Sequence, residues 1–234
     1  MPRLLVDEVV KQIERHMFSP DELKVLATHR SPRVGTAVAA SKDVDNETLT
    51  ALARDEKDTV RLAAASNAVG RPAVELEFAH NADPWVRAVL AHTYAGESEG
   101  ALGRDVQSLL ADDDFWEVRS RVAETTNQRD VYARLLEDAD ARVRGACAAN
   151  EMASTQDLKS LLSDKRKEVR SMAIASGKAG RVALLGATGD ASADVRWAAL
   201  EEAEAQGAVD EVGKSLENDP DKTVRHHARE YRRK

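Results

Sequence analysis

The chain has 234 residues, of which 42% are hydrophobic, so it is long and apolar enough to bury a core in one large domain or two small ones. Only 4% of the residues are aromatic, and a core of alanine, leucine and valine requires packed backbones to lie close together. The formal net charge of −7 disfavours a dedicated nucleic-acid-binding protein, because such proteins are usually basic.

We expect a cytoplasmic protein without a membrane span or a signal peptide. No apolar run approaches the roughly 20 residues that cross a bilayer. Charged residues occur at Arg3, Asp7 and Glu8, too early for the apolar stretch of a signal peptide. The single cysteine, Cys147, excludes an internal disulfide bond and a cysteine-rich metal site.

The first predicted element is an amphipathic helix over residues 3–18, which makes residues 1–18 an N-terminal capping helix. Its apolar residues recur at helical spacing and are Leu5, Val6, Val9, Val10, Ile13 and Met17. A second helix is predicted to start at Ser19, because proline follows at the first helical position and two acids occupy the first turn.

An internal repeat occupies residues 19–230. The pair Val-Arg occurs seven times, and Val34-Gly35 is a degenerate eighth copy. Successive valines are 26, 26, 32, 25, 26, 26 and 29 residues apart, which indicates a row of similar structural units. The seven pairs are Val60-Arg61, Val86-Arg87, Val118-Arg119, Val143-Arg144, Val169-Arg170, Val195-Arg196 and Val224-Arg225.

The positions around each valine have a constant character. The residue four positions later is apolar in every unit, so it lies on the same helix face as the valine. Five positions before the valine, aspartate or asparagine occurs in seven of the eight units, and we predict a helix N-cap there. Eight positions before it, leucine or phenylalanine occurs in seven units and Ala187 in the other, which predicts a second, shorter helix.

Each unit is therefore predicted to be a helical hairpin of one helix and one shorter α or 3₁₀ helix. Units of about 26 residues are too short for HEAT or armadillo repeats, which take about 40–47. Neither helix can bury its apolar face alone, so neighbouring units must stack. We predict an all-α solenoid of about eight units, forming a single repeat domain over residues 1–234.

Two segments depart from the repeat. Residues 95–103 contain three glycines and two glutamates, and we predict an insertion loop there. Residues 231–234 are predicted to be a basic tail after the last unit.

The aspartate, the Val-Arg pair, the small residues after it and the leucine-containing turns together resemble the leucine-rich repeat variant family, a HEAT-like group. The clearest match covers residues 38–41, 47–55 and 60–67. The resemblance implies alternating α and 3₁₀ helices in a right-handed superhelix, and it implies no common reaction. Some members carry an iron–sulfur module with an N-terminal cysteine cluster, but residues 1–60 contain no cysteine, so we expect no cofactor.

The arginines of the seven Val-Arg pairs, hereafter the arginine ladder, stand one residue after the core valine and so about 100° around the helix from it. In one interpretation each guanidinium pairs with an aspartate of the repeat, such as Asp138 or Asp164. In the other, the ladder is a basic stripe for phosphate or an acidic protein. The second interpretation predicts partner-binding residues at Arg87, Arg119, Arg144, Arg170 and Arg196.

Trp85 and Trp116 complete the predicted partner-binding residues. They precede their valines by one and two residues, so they lie at a helix start and outside the core positions. Partly exposed tryptophan and arginine residues dominate the energetics of protein interfaces. The alternative is that both rings fill gaps between units around the insertion.

The sequence contains no recognisable catalytic or metal-binding motif. There is no Walker A sequence, dinucleotide fingerprint or nucleophile elbow, and no histidine pair has zinc-ligand spacing. We predict no catalytic residue, no metal and no enzymatic activity.

Two functions from different classes fit these observations. The first is a non-catalytic protein–protein interaction scaffold with no membrane partner. The second is a nucleic-acid-binding or DNA-glycosylase-like HEAT-repeat protein, for which Asp194, Arg196 and Trp197 supply the required residue types, although their spacing spreads them around one helix. A helper that acts on a chromophore-bearing or cluster-bearing protein is a third, weaker hypothesis.

Overall fold

The computed structural model describes residues 3–93 and 101–231. All seventeen regular elements in these ranges are α-helices, and the same ranges contain no β-strand. The chain divides into two compact units, Met1–Val131 and Tyr132–Lys234, and the boundary falls within a helix. The all-α prediction is confirmed, while the prediction of a single domain stays a prediction.

The first unit contains nine complete helices in its described part. They are α1 (Arg3–Glu14), α2 (Pro20–Ala27), α3 (Pro32–Ala40), α4 (Asn46–Leu52), α5 (Asp58–Ala68), α6 (Pro72–Ala79), α7 (Pro84–Thr93), α8 (Ala101–Leu110) and α9 (Trp116–Thr125). The boundary between the units falls within α10 (Arg129–Leu136).

Seven helices follow in the second unit. They are α11 (Ala141–Ala146), α12 (Thr155–Leu162), α13 (Lys167–Ala175), α14 (Arg181–Ala187), α15 (Ala193–Ala205), α16 (Val209–Leu216) and α17 (Lys222–Tyr231).

Within each unit, a helix packs against the second helix after it in the chain. In the first unit α3 packs on α5, α5 on α7 and α7 on α9, while α4 packs on α6 and α6 on α8. In the second unit α11 packs on α13, α13 on α15 and α15 on α17. This pattern is consistent with a solenoid-like helical repeat, because each turn of chain buries its apolar face against its neighbours.

The predicted core positions are confirmed. None of the eight repeat valines is more than 2% exposed, and none of the residues four positions later is more than 1% exposed. Several of these later residues are alanines, such as Ala64, Ala173 and Ala199. Helix backbones therefore approach closely through small side chains, as the low aromatic content predicts.

The predicted N-caps at the aspartates are wrong by two residues. Asp164 Oδ1 accepts a hydrogen bond of 2.8 Å from the backbone N–H of Arg166, and Asp190 Oδ1 accepts one of 2.8 Å from Ser192. Arg166 and Ser192 are themselves the N-cap residues of α13 and α15. Each aspartate thus closes an Asx turn before the helix, because its short side chain reaches the amide two residues on.

The N-terminal helix is shorter than predicted. α1 ends at Glu14, and Met17, predicted to continue its apolar face, is 61% exposed. His16 has a φ of 57°, in the left-handed region, so the chain leaves the helical path there. The predicted helix start at Ser19 is confirmed, because the Ser19 hydroxyl and the Glu22 carboxylate accept each other's backbone N–H groups in a capping box.

Part of the predicted insertion loop is helical. Residues 95–100 of that loop lie outside the described residues, but α8 begins at Ala101, so residues 101–103 belong to a helix. In the predicted basic tail, residues 232–234 also lie outside the described residues, and Tyr231 is the last residue of α17.

We expect Val143→Asp to lower the free energy of unfolding by more than about 4 kcal/mol, because Val143 is fully buried and the new carboxylate would have no counterion. Val182→Asp is the matched control, since Val182 is 86% exposed on α14. Circular dichroism during denaturant titration measures both variants. A Val143→Asp chain that unfolds at the wild-type denaturant concentration would contradict the repeat register.

Candidate functional site

Arg144 shows how the arginine ladder joins two neighbouring repeats. Its Nε and Nη2 donate to the two carboxylate oxygens of Asp164, in the next repeat, at 2.7 and 3.1 Å. Its Nη1 donates to the backbone carbonyl of Asp138, in its own repeat, at 2.7 Å. One guanidinium therefore bonds both to the turn before α11, its own helix, and to the turn before α13.

The same geometry recurs along each unit. Two guanidinium nitrogens reach both carboxylate oxygens at 2.6–2.8 Å in the pairs Arg87–Asp113, Arg170–Asp190 and Arg196–Asp219. Arg61 differs, because asparagine stands at position 81; its Nε and Nη2 both donate to Asp83 Oδ2, at 3.0 and 2.7 Å.

Four of the five predicted arginine site residues form ion pairs with aspartates of the same chain. The side chains of Arg87, Arg144, Arg170 and Arg196 are only 16, 10, 17 and 9% exposed. Arg119 Nη1 donates to the Asp113 carbonyl at 2.7 Å, the same bond that the other ladder arginines make to their own turns. The pairing favours the structural interpretation of the ladder, and partner binding by these arginines stays a prediction.

The ion pairing shifts the pKa values of both partners. The hydrogen bond from the neighbouring arginine is the largest cause that lowers the pKa of Asp164, Asp190 and Asp219. The same bonds raise the pKa of Arg144 and Arg170, against the opposing effect of burial. In the pairs Arg144–Asp164, Arg170–Asp190 and Arg196–Asp219, both shifts therefore favour the charged forms.

The two ends of the ladder depart from the pattern. In α3 the arginine is replaced by Gly35, where a Cβ atom would lie 3.1 Å from Val60 Cγ2, so α3 and α5 approach closely at this position. In α17, Arg225 Nη1 donates to the Asp219 carbonyl, but within the described ranges no carboxylate pairs with Arg225.

A second set of hydrogen bonds joins the ends of neighbouring long helices. Asn67 Nδ2 donates to the carbonyls of Ala39 and Ser41 at 2.8 and 2.7 Å, and Thr125 Oγ1 donates to the Ala91 carbonyl at 3.2 Å. Asn67 and Thr125 stand seven residues after their valines, where the sequence repeats a small polar residue. These bonds satisfy helix carbonyls that have no partner within their own helix.

The predicted tryptophans lie in a cluster that we call the aromatic patch: Trp85, Phe115 and Trp116. The Trp85 side chain is exposed, at 54%, and its ring meets the Phe115 ring edge to face, with centroids 5.3 Å apart. The Phe115 and Trp116 rings are 6.2 Å apart. The structure thus brings both predicted tryptophans to one surface, linked by Phe115.

The turns of the ladder position these rings. The Trp85 N–H donates to Asp83 Oδ1 at 2.9 Å, and the Phe115 N–H donates to Asp113 Oδ1 at 2.8 Å. Sequence reasoning missed Phe115; the available signal was its place two residues after a ladder aspartate, where the backbone is fixed. Asp114, next to Phe115, is exposed, which gives the patch an acidic border.

The residues that a glycosylase-like site would require do not form one site. Arg196 is 7% exposed and pairs with Asp219, while Asp194 pairs with Lys167 at 2.6 Å. The Trp197 ring packs edge to face on His227, with centroids 4.7 Å apart. Each of the three is engaged with a different neighbour.

In the described part of the chain, no group of three or more histidine, cysteine, aspartate or glutamate side chains could hold a metal ion. Burial raises the pKa of Cys147 to about 12, so its thiol is protonated and a poor nucleophile. Among the described residues, none of the helices combines the length and the apolar composition needed to cross a bilayer.

Comparison with protein-family models and with curated proteins gave no match. The structure supports regularly packed helices of a repeat type, and the resemblance to one family depends on the repeat residues alone.

We expect Arg144→Met to lower the free energy of unfolding by about 2–4 kcal/mol, because Asp164 keeps a partly buried charge without its counterion. Arg166→Met is the matched control, since the Arg166 side chain is 59% exposed in its pair with Glu168. Denaturant titration at neutral pH measures both. Equal, small losses in the two variants would show that the ladder does not stabilise the fold.

Stability should fall as the pH drops below about 4. The pKa values of Asp190 and Asp219 are lowered in the folded chain by the hydrogen bonds from Arg170 and Arg196, so their contribution is complete above the unfolded pKa and is lost as pH falls through the folded values. Asp219→Asn should reduce stability at neutral pH and flatten this dependence. Asp210→Asn, at an exposed position of α16, should keep the wild-type slope. Denaturant midpoints across the acid range are the measurement, and a wild-type slope in Asp219→Asn would contradict the assignment.

Proposed function

We propose that the chain is a non-catalytic scaffold that binds another protein through the aromatic patch. The observation that carries this proposal is Trp85, a residue that is 54% exposed although Phe115 packs against its ring and Asp83 fixes its backbone. An exposed ring that is already held in place loses little conformational freedom when a partner covers it. Tryptophan is also enriched among the residues that dominate interface energetics.

The proposal includes a helical repeat of the leucine-rich repeat variant type, in the right-handed superhelix that the resemblance implies. The repeat period, the buried core positions and the packing of each helix on the second helix after it support this assignment. The shorter helices depart from the family pattern, because in the described ranges they are α-helices and not 3₁₀ helices.

The border of the patch favours a basic partner segment. Asp83 and Asp113 are already bonded to Arg61 and Arg87, whereas among residues 3–93 and 101–231 the exposed Asp114 is hydrogen-bonded only through its backbone carbonyl, to Arg119. A lysine or arginine of the partner can stack on the Trp85 face while its charge meets Asp114. The net charge of −7 also attracts a basic partner segment.

The arginines have an indirect part in this proposal. Arg87 holds Asp113, whose carboxylate fixes the Phe115 backbone, so Arg87 positions the ring that supports Trp85. Arg144, Arg170 and Arg196 join repeats of the second unit in the same way. We therefore assign these arginines a structural role.

Nucleic-acid binding is the alternative. The guanidinium groups that would contact phosphates are paired with carboxylates, and the residues of a glycosylase-like site are engaged separately, which weighs against it. A cytoplasmic location and the lack of catalysis stay predictions from the sequence.

We expect Trp85→Ala to weaken binding of a fluorescein-labelled arginine-, glycine- and serine-containing peptide by about tenfold or more, with little loss of stability. Fluorescence anisotropy measures binding, and Val25→Ala, at a position 72% exposed on α2, is the matched control.

A glutamate-for-arginine version of the peptide should not bind. Wild-type affinity in Trp85→Ala would contradict the patch. Binding of a labelled DNA duplex at low salt, without binding of the basic peptide, would favour the nucleic-acid alternative.

A further inference from the structure

A groove of about 710 Å³ lies between the short helices α12 and α14 of the second unit. Its walls are mainly apolar. Leu158 and Leu162 line it from α12, and Ala183, Gly186 and Ala187 line it from α14.

The groove lies where one repeat lacks a large side chain. Ala187 stands at the position where the other seven repeats have leucine or phenylalanine. The equivalent residues of the neighbouring repeats, Leu161 and Leu216, are buried, at 3 and 1% exposure. Gly186 widens the opening, since a Cβ atom there would meet no other atom within 4 Å. An exposed apolar residue, Val182, completes the α14 side.

The border of the groove is positively charged. Lys159 is exposed, and within the described residues no carboxylate pairs with it. Lys178 Nζ donates to the backbone carbonyls of Ala149 and Asn150, at 3.0 and 2.5 Å, and in the part of the chain that the structure describes no carboxylate pairs with it. This local excess of positive charge contrasts with the net charge of −7.

We propose that this groove binds an acidic amphipathic helix of a partner protein. The aliphatic side chains on one face of such a helix would fill the space that Ala187 and Gly186 leave, and carboxylates beside that face would meet Lys159 and Lys178. α12 has eight residues and is therefore about 12 Å long, which matches about two turns of a bound helix. The inference rests on the proposed protein-binding function, but it uses different residues and the other compact unit.

The binding test uses a fluorescein-labelled synthetic helix of leucine, alanine and glutamate, with the leucines on one face and the glutamates on both sides of it. Anisotropy should show saturable binding that weakens as salt is added, because exposed charges are screened. A peptide with lysine in place of glutamate should bind at least about tenfold more weakly.

Gly186→Leu is the decisive variant. Leucine has a higher helix propensity than glycine and meets open space at this position, so the variant should fold with an equal or higher Tm. Because the new side chain fills the groove, the variant should no longer bind the acidic peptide. Ser160→Leu on α12, exposed and outside the groove lining, controls for an added leucine. Lys159→Glu should weaken binding about fivefold, and Lys214→Glu, exposed on α16, should leave it unchanged.

Three results would overturn the proposal: no saturable binding, equal binding by Gly186→Leu, or equal binding of the lysine-containing peptide. Light scattering tests for a fourth. If the wild type forms dimers and Gly186→Leu does not, the occupant of the groove is a second copy of the chain. Trp85→Ala should bind the acidic peptide normally. If the acidic peptide does not bind the groove but Trp85→Ala still weakens binding of the basic peptide, the proposed function stands without this second site. If the acidic peptide binds but Trp85→Ala keeps wild-type affinity for the basic peptide, only the aromatic patch is removed.

Discussion

The ion pair between an arginine and the aspartate of the next repeat is the interaction on which the rest of this structure depends. A partly buried ion pair contributes to stability only when both groups keep their hydrogen bonds, because removing charge from water is costly. Here Asp164 accepts from Arg144 and from the backbone of Arg166, while Arg144 also donates to a backbone carbonyl. The planar, forked guanidinium makes this three-way bonding possible, and lysine could not replace it.

The ion pairs between neighbouring repeats also require small side chains in the core. The pair spans neighbouring repeats only if their helices lie close together, and alanines such as Ala64 and Ala173 permit that distance. Gly35 is one such position, since a Cβ atom there would lie 3.1 Å from Val60 Cγ2. Two aromatic side chains, those of Phe78 and Tyr132, are fully buried in this core. Trp85 and Phe115 lie instead on the turns that the ion pairs hold, which places an exposed aromatic surface on rigid supports.

The periodicity of the sequence predicts the helices and their buried faces well, because a residue's place in the repeat decides whether it meets a neighbouring repeat. It gives pairing between the arginines and aspartates as one of two interpretations, the other being a basic stripe, because the sequence does not show which groups face each other. It does not predict that Asp164 closes a turn and leaves the N-cap to Arg166, since both roles suit aspartate and differ only in local backbone path. Phe115 and the groove beside Ala187 were missed for another reason: each depends on how two elements meet in space.

Five ladder arginines, Arg61, Arg87, Arg144, Arg170 and Arg196, pair with an aspartate further along the chain, whereas Arg225 in the last helix has no following aspartate among the described residues. The bonding is thus directional, and every link involves only adjacent repeats. A tandem duplication of one whole period would carry its own donor and acceptor and would restore the same bonds on both sides. Evolution can therefore lengthen or shorten such a protein by copying segments, without altering the residues that remain.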